Sequence, residues 1–458
     1  MVLSTKEATK TLFYHLETFG CQMNVNDSEY LSGQLEEMGY VMTRDINIAD
    51  LIILNTCCVR AKVEQKIYSR AGIISKIKKF KPYIIFGICG CMAQKGKEMI
   101  KKRVPAVDLI FGPSQITSVQ KLLENFKQNK RRKTTILCDN KESFQLASTP
   151  IKHQSSITAY LQIMKGCNNF CSYCIVPYVR GPEESRPAEE ILLEIESLAQ
   201  KNFKEIMLLG QNVNSYGYDL NLKTKENFLT LLSKVNSIKN IERIRFITSH
   251  PKDFNLDLIK VIEYYPKICE HIHLPLQSGS DTILKKMNRK YNMEQYYNII
   301  NNIKEHIPGA SISSDIMVGF PGETERDFEE TIQALKNIGF DSVYSFIYSN
   351  REGTLSPFLG KDVPLETKKK RLWTLLDIQK DIANQKNRYL IGETVEILVE
   401  SSSKKGIEKQ YWGKTRTNKV AVFTYPYQED LLGRLVNVKI QNADAYTLYG
   451  ELINGKLK

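Results

Sequence analysis

The sequence predicts an α/β protein in three parts. These are an open parallel α/β domain over residues 10–150, a partial (β/α)6 barrel over 153–385, and a small β-barrel over 388–455. Three observations predict this. Apolar runs alternate with amphipathic helical stretches through the first two parts, the pattern of parallel sheets joined by crossover helices. The alternation stops at KQNKRRK (127–133), and a polar stretch reaching Ser156 reads as an exposed basic linker. After a polar helical connection, ETKKKRLWTLLDIQKDIANQKNRYL, the runs become short and alternate between Gly and polar turns, as in a small barrel.

In the first part LFYHLETFG, DLIILNTC and YIIFGICGC read as strands, and VDLIFGPSQITSVQKLLENF as a last strand–helix unit. SEYLSGQLEEMGY and VEQKIYSRAGIISKIKKF read as the helices between them. The second part holds six apolar runs: AYLQIMKGC, EIMLLGQN, RIRFITSH, HIHLPLQSG, ISSDIMVGF and SVYSFIYS. Six units are too few for a closed eight-stranded barrel, so one side stays open. Ligands of parallel α/β sheets sit at the carboxyl ends of the strands. Gln211, Asn212, Ser249, His250, Gln277, Ser278 and Gly319 fall there. In the third part Lys414, Arg416 and Lys419 interleave with Trp412, Phe423 and Tyr425. That mix suits RNA, or serves as edge-strand lysines that suppress aggregation.

A hydrophobic fraction of 42% and a charged fraction of 25% are ordinary for a globular protein. No run of 18 apolar residues occurs, and the start MVLSTKEATKTLFYHLETFG lacks a signal-peptide core. A cytoplasmic location is therefore expected. In that reducing compartment the 10 cysteines read as metal ligands and free thiols. The net charge of +13 favours a polyanionic partner. A generally Lys-rich surface is the plainer explanation.

Cys167, Cys171 and Cys174 in KGCNNFCSYC carry the strongest chemical signal. Three thiolates are one too few for a structural zinc. They fit three irons of a [4Fe-4S] cluster and leave the fourth open for an exogenous ligand. A second set is placed by topology: Cys21, Cys57 and Cys91 each follow a predicted strand, so parallel strands would bring them to one sheet edge. Cys57 and Cys58 are adjacent, so only one of them faces a given side. Cys89 and Cys91 would share a side in an extended strand, and periodicity leaves that choice open. Cys138 and Cys269 read as ordinary thiols.

CNNFCSYC resembles the cluster-binding loop of radical S-adenosylmethionine (SAM) enzymes, with Tyr173 at the usual aromatic position. GCQMNVNDSE, NTCCVR and GCMAQ extend the likeness, so that residues 12–455 resemble the methylthiotransferases. These carry an N-terminal cluster domain, a radical SAM domain and a TRAM domain. The resemblance implies that Cys167, Cys171 and Cys174 hold the SAM-binding cluster. Its patterns NTCxxR and GCxAQ select Cys57 and Cys91, which with Cys21 would hold an auxiliary cluster. Tyr173, Gln211, Asn212, Asp315 and Gly319 become candidates for binding SAM.

The implied reaction is methylthiolation of C2 of N6-dimethylallyladenosine next to the anticodon of tRNA. It would use two SAM molecules and sulfur from the auxiliary cluster. That C–H bond is not acidic, so cofactors rather than acid–base residues must open it. A low-potential donor such as a flavodoxin or ferredoxin would supply electrons to a monomeric enzyme. The β-barrel would grip the anticodon stem-loop, and its removal after about 388 would weaken tRNA binding and leave both clusters intact. The alternatives are methylthiolation of threonylcarbamoyl-adenosine and, from another class, a non-catalytic RNA-binding iron–sulfur protein.

Overall fold

A computed structural model describes residues 11–58, 61–128, 134–138, 146, 149–220, 226–405, 408–425 and 429–453. The chain divides into two units. One is Met1–Gln154 with Ile175–Pro182; the other is Ser155–Cys174 with Glu183–Lys458.

The first unit is a six-stranded parallel sheet in the order β2-β1-β3-β4-β5-β6. Its strands are β1 (Leu12–Thr18), β2 (Tyr40–Met42), β3 (Leu51–Thr56), β4 (Ile85–Gly90), β5 (Leu109–Phe111) and β6 (Thr135–Leu137). The helices are α1 (Gln22–Glu37), α2 (Ala61–Phe80), α3 (Cys91–Arg103), α4 (Val119–Gln128) and the short α5 (Val176–Arg180). Every residue of β3 is buried, because helices cover both sheet faces and a central parallel strand meets apolar layers on each side. Ile52 and Leu54 enter one core; Leu51 and Ile53 enter the other. Ile175 and Val179 place α5 in the core that holds Ile52. Two strands were not expected. β2 and β6 are edge strands of three residues, too short to show a period, and β6 lies in the stretch read as a linker. Residues 129–133 of the basic run lie outside the described residues.

In the second unit β7 (Thr158–Gln162) leads into β8 (Met164–Lys165), which pairs antiparallel with β9 (Glu184–Ser185). Then follow β10 (Glu205–Leu209), β11 (Arg243–Phe246), β12 (His271–His273), β13 (Ser311–Val318) and β14 (Ser342–Ile347). β7, β10 and β11 form one parallel sheet, β12, β13 and β14 another. A bridge from Ile244 to Ile268 joins them. The six strands thus form a partial barrel with a weak seam between β11 and β12. After the helix Leu365–Arg388, β15 (Thr394–Lys405), β16 (Glu408–Thr415), β17 (Val420–Tyr425), β18 (Leu435–Ala443) and β19 (Thr447–Leu452) close a five-stranded barrel.

This barrel is pinned to the amino-terminal ends of the parallel strands by its β16–β17 hairpin. Arg243 and Arg245 of β11 are fully buried. Arg243 donates to the carbonyl of Lys414 at 2.7 Å and pairs with Glu396 at 3.0 Å. Arg245 donates to the carbonyls of Thr415 and Arg416 at 2.7 and 2.8 Å, and pairs with buried Glu205 at 2.8 Å. Arg416 pairs with Glu270, and Lys419 with Asp341. The segment after 388, expected to be removable with both clusters left intact, therefore also carries contacts that the parallel strands depend on. Its loss would remove the acceptors of Arg243 at Glu396 and Lys414 and the two carbonyls that Arg245 uses beside Glu205.

Candidate cluster centres and strand-end pocket

Cys167 and Cys171 are buried and Cys174 is half-buried on the loop that follows β8. The sulfurs of Cys167 and Cys171 face hydrogen-bond donors. Asn169 Nδ2 lies 3.4 Å from Cys167 Sγ, and Arg289 Nη1 lies 3.4 Å from Cys171 Sγ. Arg289 is itself held by the carbonyl of Pro275 and the hydroxyl of Tyr291. Phe170 takes a left-handed φ of 46°, its carbonyl accepting from Asn288 Nδ2 at 2.9 Å. Burial pushes the Cys167 thiol up to about 11, so thiolates persist here only against a compensating positive charge. Arg289 supplies one such charge, and cluster irons would supply the rest. Among the described residues no three donors converge on a point that one metal ion could fill. A zinc needs every sulfur about 2.3 Å from one centre. An iron–sulfur cluster takes each thiolate on a separate iron, and three thiols on one loop, with N–H donors behind Cys167 and Cys171, fit that demand.

A row of unsatisfied atoms lies at the carboxyl ends of β10 and β11. Gln211 Oε1, Asn212 Oδ1, Asn214 Nδ2, Ser249 Oγ and His250 Nε2 are buried without a partner among the described residues. Native proteins rarely leave buried polar atoms unpaired, and five together at strand ends mark a place where a polar ligand completes the set. Asn212 is oriented by its Nδ2 bond to Asp253 at 2.7 Å. His250 Nδ1 accepts from the N–H of Lys252, so its unpaired Nε2 carries the proton. Burial lowers the pKa of His250 to about 2 and keeps it neutral. The His250 ring stands edge-on to Tyr291 at 5.8 Å, which links this row through Arg289 to Cys171.

The other predicted SAM residues divide. Tyr173 packs against Ile283, Met287, Phe320 and Tyr348, beside the turn that follows β13. Within that turn the Gly319 N–H is taken by Glu323, whose carboxyl also accepts from Phe320 N at 3.0 Å. Gly319 also lies against the stem of Lys368, so its backbone is engaged inside the turn. Asp315 faces His273 at 3.5 Å, and His271 and His273 share Ser313 Oγ at 3.1 and 3.0 Å.

In the first unit, Cys21 caps α1 and Cys91 opens α3. Gly20 has φ +149°, and a Cβ there would strike Asn24 and Cys57; Gly90 has φ +92°, and a Cβ would strike Thr56. Gly90 resolves the choice that periodicity left open, because the extended strand ends there. Cys89 enters the core beside Leu51, whereas Cys91 emerges beside Cys58 and Ile52. The Cys91 thiol is pulled below the ordinary range, first by a hydrogen bond with Cys58 and then by Arg180. Cys21 is exposed at this edge and has Arg180 as a charge partner. The Cys58 thiol thus interacts with Cys91, while Cys57 lies against Gly20. Three thiols on separate segments, Cys21 and Cys91 beside the Arg180 guanidinium and Cys57 at the edge cleared by Gly20, fit a second cluster.

Residue reasoning missed Asp27, Asn24, Asn55 and Arg180. Asn55 Nδ2 donates to the carbonyl of Asn24 at 2.8 Å and to Ser28 Oγ at 2.9 Å, and Asn24 accepts from the Cys21 thiol at 3.4 Å. Buried Asp27 accepts from Arg180 at 2.7 Å. The run GCQMNVNDSE contained two of these, Asn24 and Asp27, but nothing in spacing tied Arg180 to it.

On the small barrel, the mix read as RNA-binding is sorted differently. Phe423 and Tyr425 are core, and Lys414, Arg416 and Lys419 are ion-paired. Trp412, Val422 and Tyr449 instead stand in register on three neighbouring strands, with both rings exposed.

Comparison with known proteins agrees with this layout. Residues 13–112 match the uncharacterized protein family UPF0004, 161–335 the radical SAM superfamily, and 388–453 the TRAM domain. The chain is 46% identical over 446 residues to the tRNA-2-methylthio-N(6)-dimethylallyladenosine synthase of Caldicellulosiruptor saccharolyticus, covering 97% of this chain and 93% of that one. The chain belongs to this synthase family. A Clostridium botulinum (strain Okra) member is 46% identical, with 99% of each chain covered. Among solved structures, a radical SAM methyltransferase from Kitasatospora setae matches with a TM-score of 0.52 at 12% identity, covering 73% of both chains, which shows a shared fold. As a radical SAM enzyme of this family, the chain works with SAM and [4Fe-4S] clusters. No described helix is long and apolar enough to cross a membrane.

Proposed function

We propose that this enzyme converts N6-dimethylallyladenosine in tRNA to its 2-methylthio derivative. The near-full-length identity to synthases of that name carries the reading. The geometry supports it with two separate three-thiol constellations, each one ligand short of closure. In this reading Cys167, Cys171 and Cys174 hold one cluster, and Cys21, Cys57 and Cys91 the other. When bound, the clusters and SAM supply the one-electron chemistry and the sulfur that an unactivated C–H bond requires.

The chain's own residues bind and orient. Asn169 and Arg289 donate to the thiolates of the first loop. Gln211, Asn212, Ser249 and neutral His250 offer unpaired donors and acceptors to the polar parts of SAM. Tyr173 and Asp315 are the further candidates on the loop and on β13. The adenosine must leave its stack to reach the strand ends, a cost of a few kcal/mol. Trp412, Val422 and Tyr449 present a stacking surface for RNA. A flavodoxin or ferredoxin as donor, and a monomeric state, complete the proposal.

The test is anaerobic reconstitution followed by iron and sulfide analysis. About eight irons per chain are expected, falling to about four when either triplet is replaced by alanine. A wild-type chain that saturates at four irons would remove the second cluster.

A further inference from the structure

Arg180 sits six residues beyond Cys174, yet its side chain belongs to the other thiol triplet. Ile175 and Val179 bury the short helix in the first unit's core, and the helix ends by delivering Arg180 to the edge where Cys21 and Cys91 lie. Arg180 is buried at 7% exposure and Asp27 at 5%, with 2.7 Å between Nη2 and Oδ2. A buried ion pair of this kind has a desolvation penalty that its own attraction hardly repays. A purely structural role is better filled by apolar packing. What singles the site out is that the guanidinium has Cys21 and Cys91 as further charge partners. The Asp27 carboxylate takes one of its five donors at 2.7 Å, and the fork has further N–H groups to offer the thiols that share its charge.

We infer that Arg180, oriented by Asp27, is a positioning residue for the cluster held by Cys21, Cys57 and Cys91, donating N–H bonds to its sulfur ligands and fixing its reduction potential. This rests on the assignment of that triplet to a cluster. The cluster with its thiolates is anionic, and each added electron makes it more so. A guanidinium in a low-dielectric site favours the reduced form, and the Asp27 carboxylate moderates that effect. Potentials of such clusters follow net charge and hydrogen bonds to sulfur, and these two residues set both.

The experiment uses the full chain with Cys167, Cys171 and Cys174 changed to alanine, so that one cluster remains. Iron content, an EPR-monitored redox titration and the EPR line shape are then compared for this parent and for added Arg180→Gln, Arg180→Lys or Asp27→Asn. Arg180→Gln should lower the reduced fraction at a fixed potential at least tenfold, which is 59 mV for a one-electron couple. Arg180→Lys should recover most of that shift, and Asp27→Asn should move the potential the opposite way. A parent that binds no iron would overturn the cluster assignment itself. Full iron with an unmoved potential in Arg180→Gln would overturn the role of Arg180 alone. Should Arg180→Gln fail to hold iron, an unmoved potential in Asp27→Asn would overturn it equally.

Discussion

Arg245 and Glu205 are both essentially unexposed and 2.8 Å apart, so removing one leaves the other as a bare charge in the interior. Arg245→Met should destabilise the protein by about 3–5 kcal/mol, read from denaturant unfolding. Adding Glu205→Gln to it should recover part of that loss, which independent sites would not do. His250 and His271 give a second prediction. Burial lowers them to about 2 and about 3, well below the ordinary histidine value. Between those values and about 6.5 the unfolded chain binds protons that the folded chain refuses, so stability falls as pH drops through that window. The slope should approach about 1.4 kcal/mol per pH unit for each histidine. His271→Asn should flatten it by about half. The triplets make a third case. Cys171→Ala should abolish reductive SAM cleavage, whereas Cys91→Ala should halve the iron and leave SAM cleavage uncoupled from sulfur insertion.

Among the elements, the β16–β17 hairpin has the largest consequence. Its carbonyls and charges satisfy Arg243, Arg245, Glu270 and Asp341 at the amino-terminal ends of the parallel strands. A chain ending at 388 should therefore melt several degrees lower or aggregate, and a loss of iron would follow from unfolding. Thermal unfolding of the truncated and full-length chains checks this; equal midpoints would contradict it. The sequence made the parallel strands visible because β3, β4 and β13 are apolar runs with clear boundaries. It made the cysteine loop visible because its ligands are local. Three-residue strands such as β2 and β6 have no period to read. The basic face of the barrel left two readings open because a lysine that pairs with a distant aspartate looks, in sequence, like one that faces solvent. Asp27 and Arg180 escaped notice because 153 residues separate them and only the fold joins them.

Across the protein, two incomplete thiol sites occupy different units, and a row of unpaired polar atoms accompanies one of them. Neither site alone specifies the reaction. In the proposed reading an open cluster at Cys171 would account for radical generation, and the second triplet for sulfur. The RNA target draws on the family and on the exposed rings of the small barrel. Trp412→Ala with Tyr449→Ala should weaken tRNA binding roughly tenfold or more, at about 1–3 kcal/mol per stacked base, without altering iron content. The most direct measurement is mass spectrometry of nucleosides from dimethylallyl-tRNA treated with reconstituted enzyme, SAM and reductant. The wild-type chain should yield the 2-methylthio nucleoside, and the Cys21→Ala chain should cleave SAM yet yield none. Equal product from the Cys21→Ala chain, or no sulfur in the wild-type product, would contradict the account.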